Sequence, residues 1–291
     1  MAQTYSHSRL STFEDCPKRF EYRYVLKIPA ETDGIEAFVG KRVHEVLERL
    51  YIAVGRGLMP GLPRVLARYQ QLFDDSFDPQ RIRIVREGVP VSFYRTIGER
   101  CLTDYYRRHY PFDDGETLGI EQHVSFSLDD DGKYKLQGII DRIVRASDGT
   151  IEIHDYKTGR RLPNQQQLDT DRQLALYQIG LAEQYPGQPM RLVWHYLQQN
   201  QRPTSTRTPE QLATLRSDTM HLIDRIRTEF EYKPKRSGLC DWCEYNDRCP
   251  IYPDKGLGTR SGVSGSGAGT DTPPSPSKGQ LSLFSSGPDH S

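Results

Sequence analysis

Two aspartates and a lysine carry the sharpest chemistry in the chain. Gly138-Ile139-Ile140-Asp141 is followed, 14 residues after its aspartate, by Asp155-Tyr156-Lys157. Both carboxylates are embedded in apolar, strand-like sequence, Ile139-Ile140 and Ile151 to Ile153, where a charge needs a partner or a metal. At the ends of adjacent hairpin strands they can converge on one point and bind Mg²⁺ or Mn²⁺, hard cations that take oxygen ligands. The two-residue period of a strand puts Asp155 and Lys157 on one face and Tyr156 on the other. The lysine can then orient an attacking water or stabilise charge at a phosphate, while a bound cation lowers the pKa of that water. Glu121, upstream, can complete the carboxylate set directly or through water. Taken alone, either aspartate also reads as a solvated residue at a strand end, because charged side chains are mostly exposed.

A second constellation is made of cysteines. Cys240-Asp241-Trp242-Cys243 is a C-x₂-C, Cys249 follows after five residues, and Cys16 lies far upstream beside Pro17. Four thiolates can hold a tetrahedral zinc or an iron–sulfur cluster. Structural zinc usually draws on two close pairs, whereas the split here is one plus three. Free thiols are the third option. Cys101, near Leu102 and Tyr105, reads as a buried small apolar residue.

The elements that must position these groups are legible from periodicity. Ser11-Thr12-Phe13-Glu14 has the form of a capping box, which predicts a helix start there. A second helix is expected from near Phe38, with Val39, Val43, Val46, Leu47, Leu50 and Tyr51 at helical spacing. Further helices are expected over 62–73 and 91–110. The pattern then changes to strands over 119–128, 134–144 and 151–157, separated by Asp129 to Gly132 and by Ser147-Asp148-Gly149 as turns. A helix over 171–184, a strand over 190–197 and a long helix over 209–230 with Pro209 near its start complete the order. Helices, a three-strand meander, helix, strand, helix describe a mixed α/β core with a helical N-terminal region.

In this order the sequence resembles the PD-(D/E)XK nuclease superfamily, and within it the RecB-like exonuclease branch. Asp141 and Asp155-Tyr156-Lys157-Thr158-Gly159 match its active-site signature, without the proline of the superfamily name. Gly40-Lys41-Arg42-Val43-His44 matches a G-x-x-x-H helix, and Gln173-Leu174-Ala175-Leu176-Tyr177 a Q-x-x-x-Y helix. Ser8-Arg9-Leu10 through Cys16-Pro17-Lys18-Arg19-Phe20 matches its N-terminal pattern. The resemblance spans about Ser8 to Pro250 and leaves Gly55 to Val91 without a motif. It implies a restriction-endonuclease-like core and a metal held by His44, Asp141, Asp155 and the Tyr156 carbonyl. Lys157 would serve catalysis with Asp141, Asp155 and Glu121, and Gln173 and Tyr177 would position DNA. The one-plus-three cysteines are shared with the iron–sulfur nucleases of this branch, the AddB subunit and small CRISPR-associated nucleases. The resemblance therefore implies a four-iron four-sulfur cluster on Cys16, Cys240, Cys243 and Cys249, clamping the ends of a domain over 1–256. Without it, His44 is an ordinary amphipathic-helix histidine, and Gln173 and Tyr177 are i,i+4 neighbours on one helical face. His123, His154 and His195 have no pattern and are expected to be structural.

Charge narrows the substrate contacts. The 39 Lys and Arg balance 39 Asp and Glu, so the chain cannot coat nucleic acid by bulk charge. A local surface must do the work. Lys18, Arg19, Arg23 and Lys27 interleave with Phe20, Tyr22 and Tyr24, which suits single-stranded nucleic acid or, equally, an amphipathic helix with a solvated face. No run approaches the roughly 20 apolar residues that span a bilayer, the N-terminus has no apolar signal region, and five cysteines do not make a disulfide scaffold. The expected location is the cytoplasm, in association with the nucleoid, with reduced or metal-bound thiols.

Residues 257–291 are dominated by Gly, Ser and Pro and are expected to be disordered, which explains a hydrophobic content of only 35%. Within them Gln280-Leu281-Ser282-Leu283-Phe284 resembles the bacterial sliding-clamp-binding motif; chance is the alternative. The reading that results is a Mg²⁺- or Mn²⁺-dependent deoxyribonuclease acting on single strands or DNA ends in repair, recombination or replication. Its partners would be a sliding clamp and, since no Walker-type motif is present, a separate helicase. The alternatives are an inactive nuclease-like DNA-binding module tethered to the clamp, and a CRISPR adaptation nuclease.

Overall fold

The computed structural model describes residues 3–252; the tail and its Gln280 to Phe284 motif lie outside them. The first helix, α1 (His7–Asp15), starts earlier than Ser11. Ser6 is the cap: its hydroxyl accepts the Arg9 N–H at 3.2 Å. The Ser11 to Glu14 box therefore sits inside the helix, with the Thr12 hydroxyl bonded back to the Ser8 carbonyl at 2.7 Å and Glu14 paired with Arg172. The early start lets Leu10, Phe13 and, from the next helix, Phe20 join one buried cluster. Extended backbone at Cys16 ends α1, and Pro17 opens α2 (Pro17–Phe20), where the missing proline N–H costs nothing. A π-helical turn, Glu21–Val25, follows, so the basic aromatic stretch is three short pieces and not one amphipathic helix.

Three helices pack as a layer. They are α3 (Ile35–Gly55), α4 (Leu62–Ser76) and α5 (Val91–His109). A two-residue parallel pair, β1 (Asp33–Gly34) with β2 (Ile82–Arg83), ties α3 to the loop after α4. The expected apolar positions of α3, Val39, Val43, Val46, Leu47, Leu50 and Tyr51, are all buried in one cluster with Tyr69, Phe73, Leu102 and Tyr105. Each such side chain contributes about 1.5–3 kcal/mol on burial. Cys101 is fully buried beside them.

The sheet has the order β3-β4-β5-β6-β7, from β3 (Glu116–Ser127), β4 (Lys135–Arg145), β5 (Ile151–Lys157), β6 (Met190–Tyr196) and β7 (Thr204–Ser205). All neighbours are antiparallel except β5 and β6. That parallel pair needs a crossover. It is made by α6 (Gln165–Asp169) and α7 (Gln173–Leu181), and α8 (Pro209–Thr228) follows β7. Helices on both sides of β5 explain why all of it but Lys157 is buried. Ile151 and Ile153 face the α7 cluster, while Tyr156 faces the α3–α5 cluster. The result is a mixed α/β fold with a central mixed sheet between helices, the core expected from the sequence. No helix among the described residues is long and apolar enough to cross a membrane.

Candidate active site

The β4–β5 hairpin brings the two aspartates to neighbouring positions, because Arg142 pairs with His154 in the register just before them. Asp141 Oδ2 accepts the Tyr156 backbone N–H at 2.6 Å, so the two strands are stitched by the acidic side chain where their own ladder stops. Asp155 and Lys157 share a face as period two demands, with Nζ 2.7 Å from Asp155 Oδ2. Gln173, first residue of α7, holds both: its Nε2 donates to Asp155 Oδ1 at 2.9 Å, and Lys157 Nζ donates to its Oε1 at 2.8 Å.

The third wall is α3. His44 Nε2 lies 2.8 Å from the Tyr156 carbonyl oxygen and Nδ1 3.4 Å from Asp141 Oδ1. Gly40, one turn earlier, explains the approach. A Cβ there would sit 2.8 Å from the Thr158 hydroxyl oxygen, just past the end of β5. Gly138 serves Tyr177 in the same way: a Cβ on Gly138 would lie 2.3 Å from the tyrosine ring, which therefore lies flat on β4.

Glu121 completes the set through an unusual backbone. Its φ of 45° is left-handed, a conformation costing about 1–3 kcal/mol in a residue with a side chain. The same strand carries a register shift between Thr117 and Gly119, upstream of this residue. One ligand atom each from His44, Glu121 and Asp141 lie within 4.8 Å of one another. Asp155 lies outside this trio and belongs with Lys157 and Gln173.

The electrostatics are those of crowded, largely buried carboxylates. Burial, then the Asp141 charge, pushes Glu121 up to about 7. Burial likewise raises Asp155, against the opposing pull of Lys157. Burial disfavours charge on His44, but Asp141 outweighs it, with Asp155 and the Tyr156 carbonyl, and holds the imidazole up to about 9. Asp155 Oδ2, though close to Lys157, is buried without a hydrogen bond of normal geometry. Three carboxylates crowded this closely, with a proton drawn onto the histidine, fit a hard divalent cation.

A cleft of about 670 Å³ adjoins the site at Gln173, Tyr177 and Gly138. Its other walls include Ser6, His7 and Ser8 at the start of α1, with His123, Ser125 and Gln137 across from them. Tyr5 places α1 there by exchanging backbone bonds with Lys135 and Gln137 at the edge of β4. His7 is kept neutral, lowered to about 4 by burial, then by Arg172 and Lys157. Sequence reading missed this wall because its members come from separate elements; only Ser8 belonged to a motif. His154 and His195 lie elsewhere, in a buried network behind β5, with Nδ1 and Nε2 2.8 Å apart and His154 Nε2 3.0 Å from Glu152.

The cysteines and the basic stretch meet around a second cavity, past the C-terminal end of α1. Cys16, Cys240, Cys243 and Cys249 line one small cavity, and backbone N–H groups of Lys235 and Ser237 donate to the sulfurs of Cys16 and Cys240. No three of the sulfurs lie within 4.8 Å of one another. Arg19 lines the same cavity and pairs with Glu244 at 2.8 Å, and Lys18 pairs with Glu21. Both cations are thus spoken for within the protein.

The chain matches a known family. Residues 4–250 match the model of the PD-(D/E)XK nuclease superfamily, and the chain belongs to that superfamily. Among solved structures it is similar to one named as a candidate exonuclease from Eubacterium rectale, at 14% identity, TM-score 0.48, covering 84% of this chain and 88% of that one. It is also similar to the protein SSO0001, at 15% identity and TM-score 0.39, covering 87% and 88%. No curated protein sequence matches it.

Proposed function

We propose that this chain is a divalent-metal-dependent deoxyribonuclease of the RecB-like branch, acting on single strands or DNA ends. The observation that carries the reading is the convergence of His44, Glu121 and Asp141 beside the Asp155–Lys157 pair, within the superfamily's fold. These residues would hold the metal, with Asp155 and the Tyr156 carbonyl at its edge. When bound, the cation supplies a water of lowered pKa and neutralises a phosphoryl oxygen. Lys157 would orient an attacking water toward phosphorus and face the charge that develops on the phosphate oxygens. Gln173 fixes Lys157 and Asp155 relative to each other, and Tyr177 gives the strand a wall. The cleft beyond Tyr177 leads the strand in.

A four-iron four-sulfur cluster on Cys16, Cys240, Cys243 and Cys249 is part of this reading: the four residues line one cavity, the sulfurs of Cys16 and Cys240 receive backbone N–H donors, and a cluster there would tie residue 16 to residues 240–249. Recruitment to a sliding clamp rests on Gln280-Leu281-Ser282-Leu283-Phe284 alone.

The test is an assay on end-labelled linear single-stranded DNA with a closed circular control, using anaerobically purified protein and either Mg²⁺ or Mn²⁺. Loss of the linear substrate only, absent in Lys157→Ala, is expected. Cutting of both substrates would make the enzyme an endonuclease at the same site. No cutting by cluster-loaded protein would favour the inactive DNA-binding module.

A further inference from the structure

The motif-free stretch after α3 builds a pocket of its own. A cavity of about 370 Å³, within the roughly 300–1,000 Å³ typical of ligand sites, lies between α3 and α4. Val46, Leu50 and Val65 form its floor, and Leu58 and Met59 of the connecting loop form one side. It is separate from the candidate active site. At 100° per residue, Val46, Arg49, Leu50 and Ala53 lie about 120–180° round α3 from His44.

Three features make the pocket look built for a partner. Leu58 is 62% exposed and Met59 45%, an apolar pair left in water at the rim of an apolar floor. The loop that carries them is pinned: Leu58 N–H donates to the Ala53 carbonyl at 3.0 Å, and the Tyr106 hydroxyl to the Pro60 carbonyl at 3.0 Å. The pocket is thus preformed, which lowers the entropic cost of filling it. The rim carries Arg49, Arg64 and Arg68, and no carboxylate lines the cavity. Among the described residues none of these arginines makes an ion pair; Arg68 donates only to Gln71.

An apolar floor inside a ring of unpaired guanidinium groups selects a ligand that is apolar at its centre and anionic around it. Nucleic acid meets only half of this. Bases bind chiefly by stacking on aromatic rings, and no aromatic side chain lines the cavity. Aliphatic walls with a methionine suit a peptide side chain instead. The segment Gln280 to Phe284 has apolar residues but no acidic ones. We propose that this pocket docks an acidic peptide segment of a partner protein, with one bulky apolar residue entering the cavity between carboxylates that pair with Arg49, Arg64 and Arg68.

Fluorescence anisotropy tests this with the full chain and fluorescein-labelled peptides Asp-Glu-X-Asp-Glu, X being Leu, Met or Phe. At least one should bind saturably, more weakly as salt rises. Leu58→Asp and Arg64→Glu, both at exposed positions, should each lower affinity at least tenfold. Both variants should keep the wild-type melting temperature and cleavage of a plain oligonucleotide. Three results would overturn the proposal: no saturable binding by any peptide, equal binding by both variants, or equal binding of the matching Lys-Lys-X-Lys-Lys peptides. A single-stranded oligonucleotide that displaces the acidic peptide from wild type, and itself binds Arg64→Glu tenfold more weakly, would reassign the pocket to nucleic acid.

Discussion

Glu121→Gln should stabilise the metal-free protein while removing its response to metal. Glutamine keeps the shape and the left-handed backbone, so the change is in charge alone. In the folded state burial and Asp141 push the Glu121 carboxyl from 4.5 up to about 7. A carboxyl whose folded pKa is raised destabilises the fold when ionised. The cost is absent below about pH 4.5, grows as pH rises, and is complete above about 7. The full shift corresponds to about 3 kcal/mol at 1.36 kcal/mol per unit. Glu121 is partly open to water, and screening reduces the figure to about 1–2 kcal/mol. His44, which partly offsets the repulsion, is already counted in the net shift.

Urea unfolding in EDTA at pH 8 reads this directly. The variant should gain about 1–2 kcal/mol there, equivalent to roughly 2–8 °C in melting temperature for a domain of this size, and gain nothing at pH 4.5. Adding Mg²⁺ or Mn²⁺ should close the gap. The wild type gains about 1.4 kcal/mol at a tenfold excess over its dissociation constant, while the variant gains much less. A variant no more stable than wild type at pH 8 in EDTA would refute the reasoning, as would a gain that persists at pH 4.5.

Gln173→Leu should cost about 10–100-fold in activity, typical of losing a residue that orients catalytic groups. Because it frees Lys157 and Asp155 together, the pH–rate profile should shift as well, whereas a purely structural role would leave its shape unchanged. Gly138→Ala should cost about 1–3 kcal/mol by overpacking, because the added methyl meets the Tyr177 ring at 2.3 Å. Tyr177→Leu in the same chain should recover much of that stability in denaturant titrations without restoring activity. Cys243→Ala should abolish visible absorption of anaerobically purified protein and lower its melting temperature, with iron and zinc content measured alongside; full stoichiometric zinc in the wild type would refute the cluster.

The hairpin was the most legible part of the site. Asp141, Asp155 and Lys157 stand at the ends of its isoleucine-rich runs, and a two-residue period leaves little choice about which of them share a face. The helix starts were less legible. Ser6 and Ser11 are equally good caps locally, and the choice of Ser6 is made by the burial of Leu10 and Phe13 against distant residues. The short pieces α6, β1, β2 and β7 carry too few residues to show any period. The small pair β1 and β2 exists only because α3 and the loop after α4 already lie side by side.

Glu121 shows why composition of a site is harder to read than its location. On an ideal strand its direction would follow parity, yet its own left-handed backbone re-aims it. Irregularities of this kind recur beside active sites because they move one side chain without moving the sheet. The trio His44, Glu121 and Asp141 therefore depends on a backbone irregularity that no periodicity reveals. The charge on Glu121 is costly without a cation because burial and Asp141 oppose it, and the backbone strain is spent in bringing a third carboxylate where two already sit.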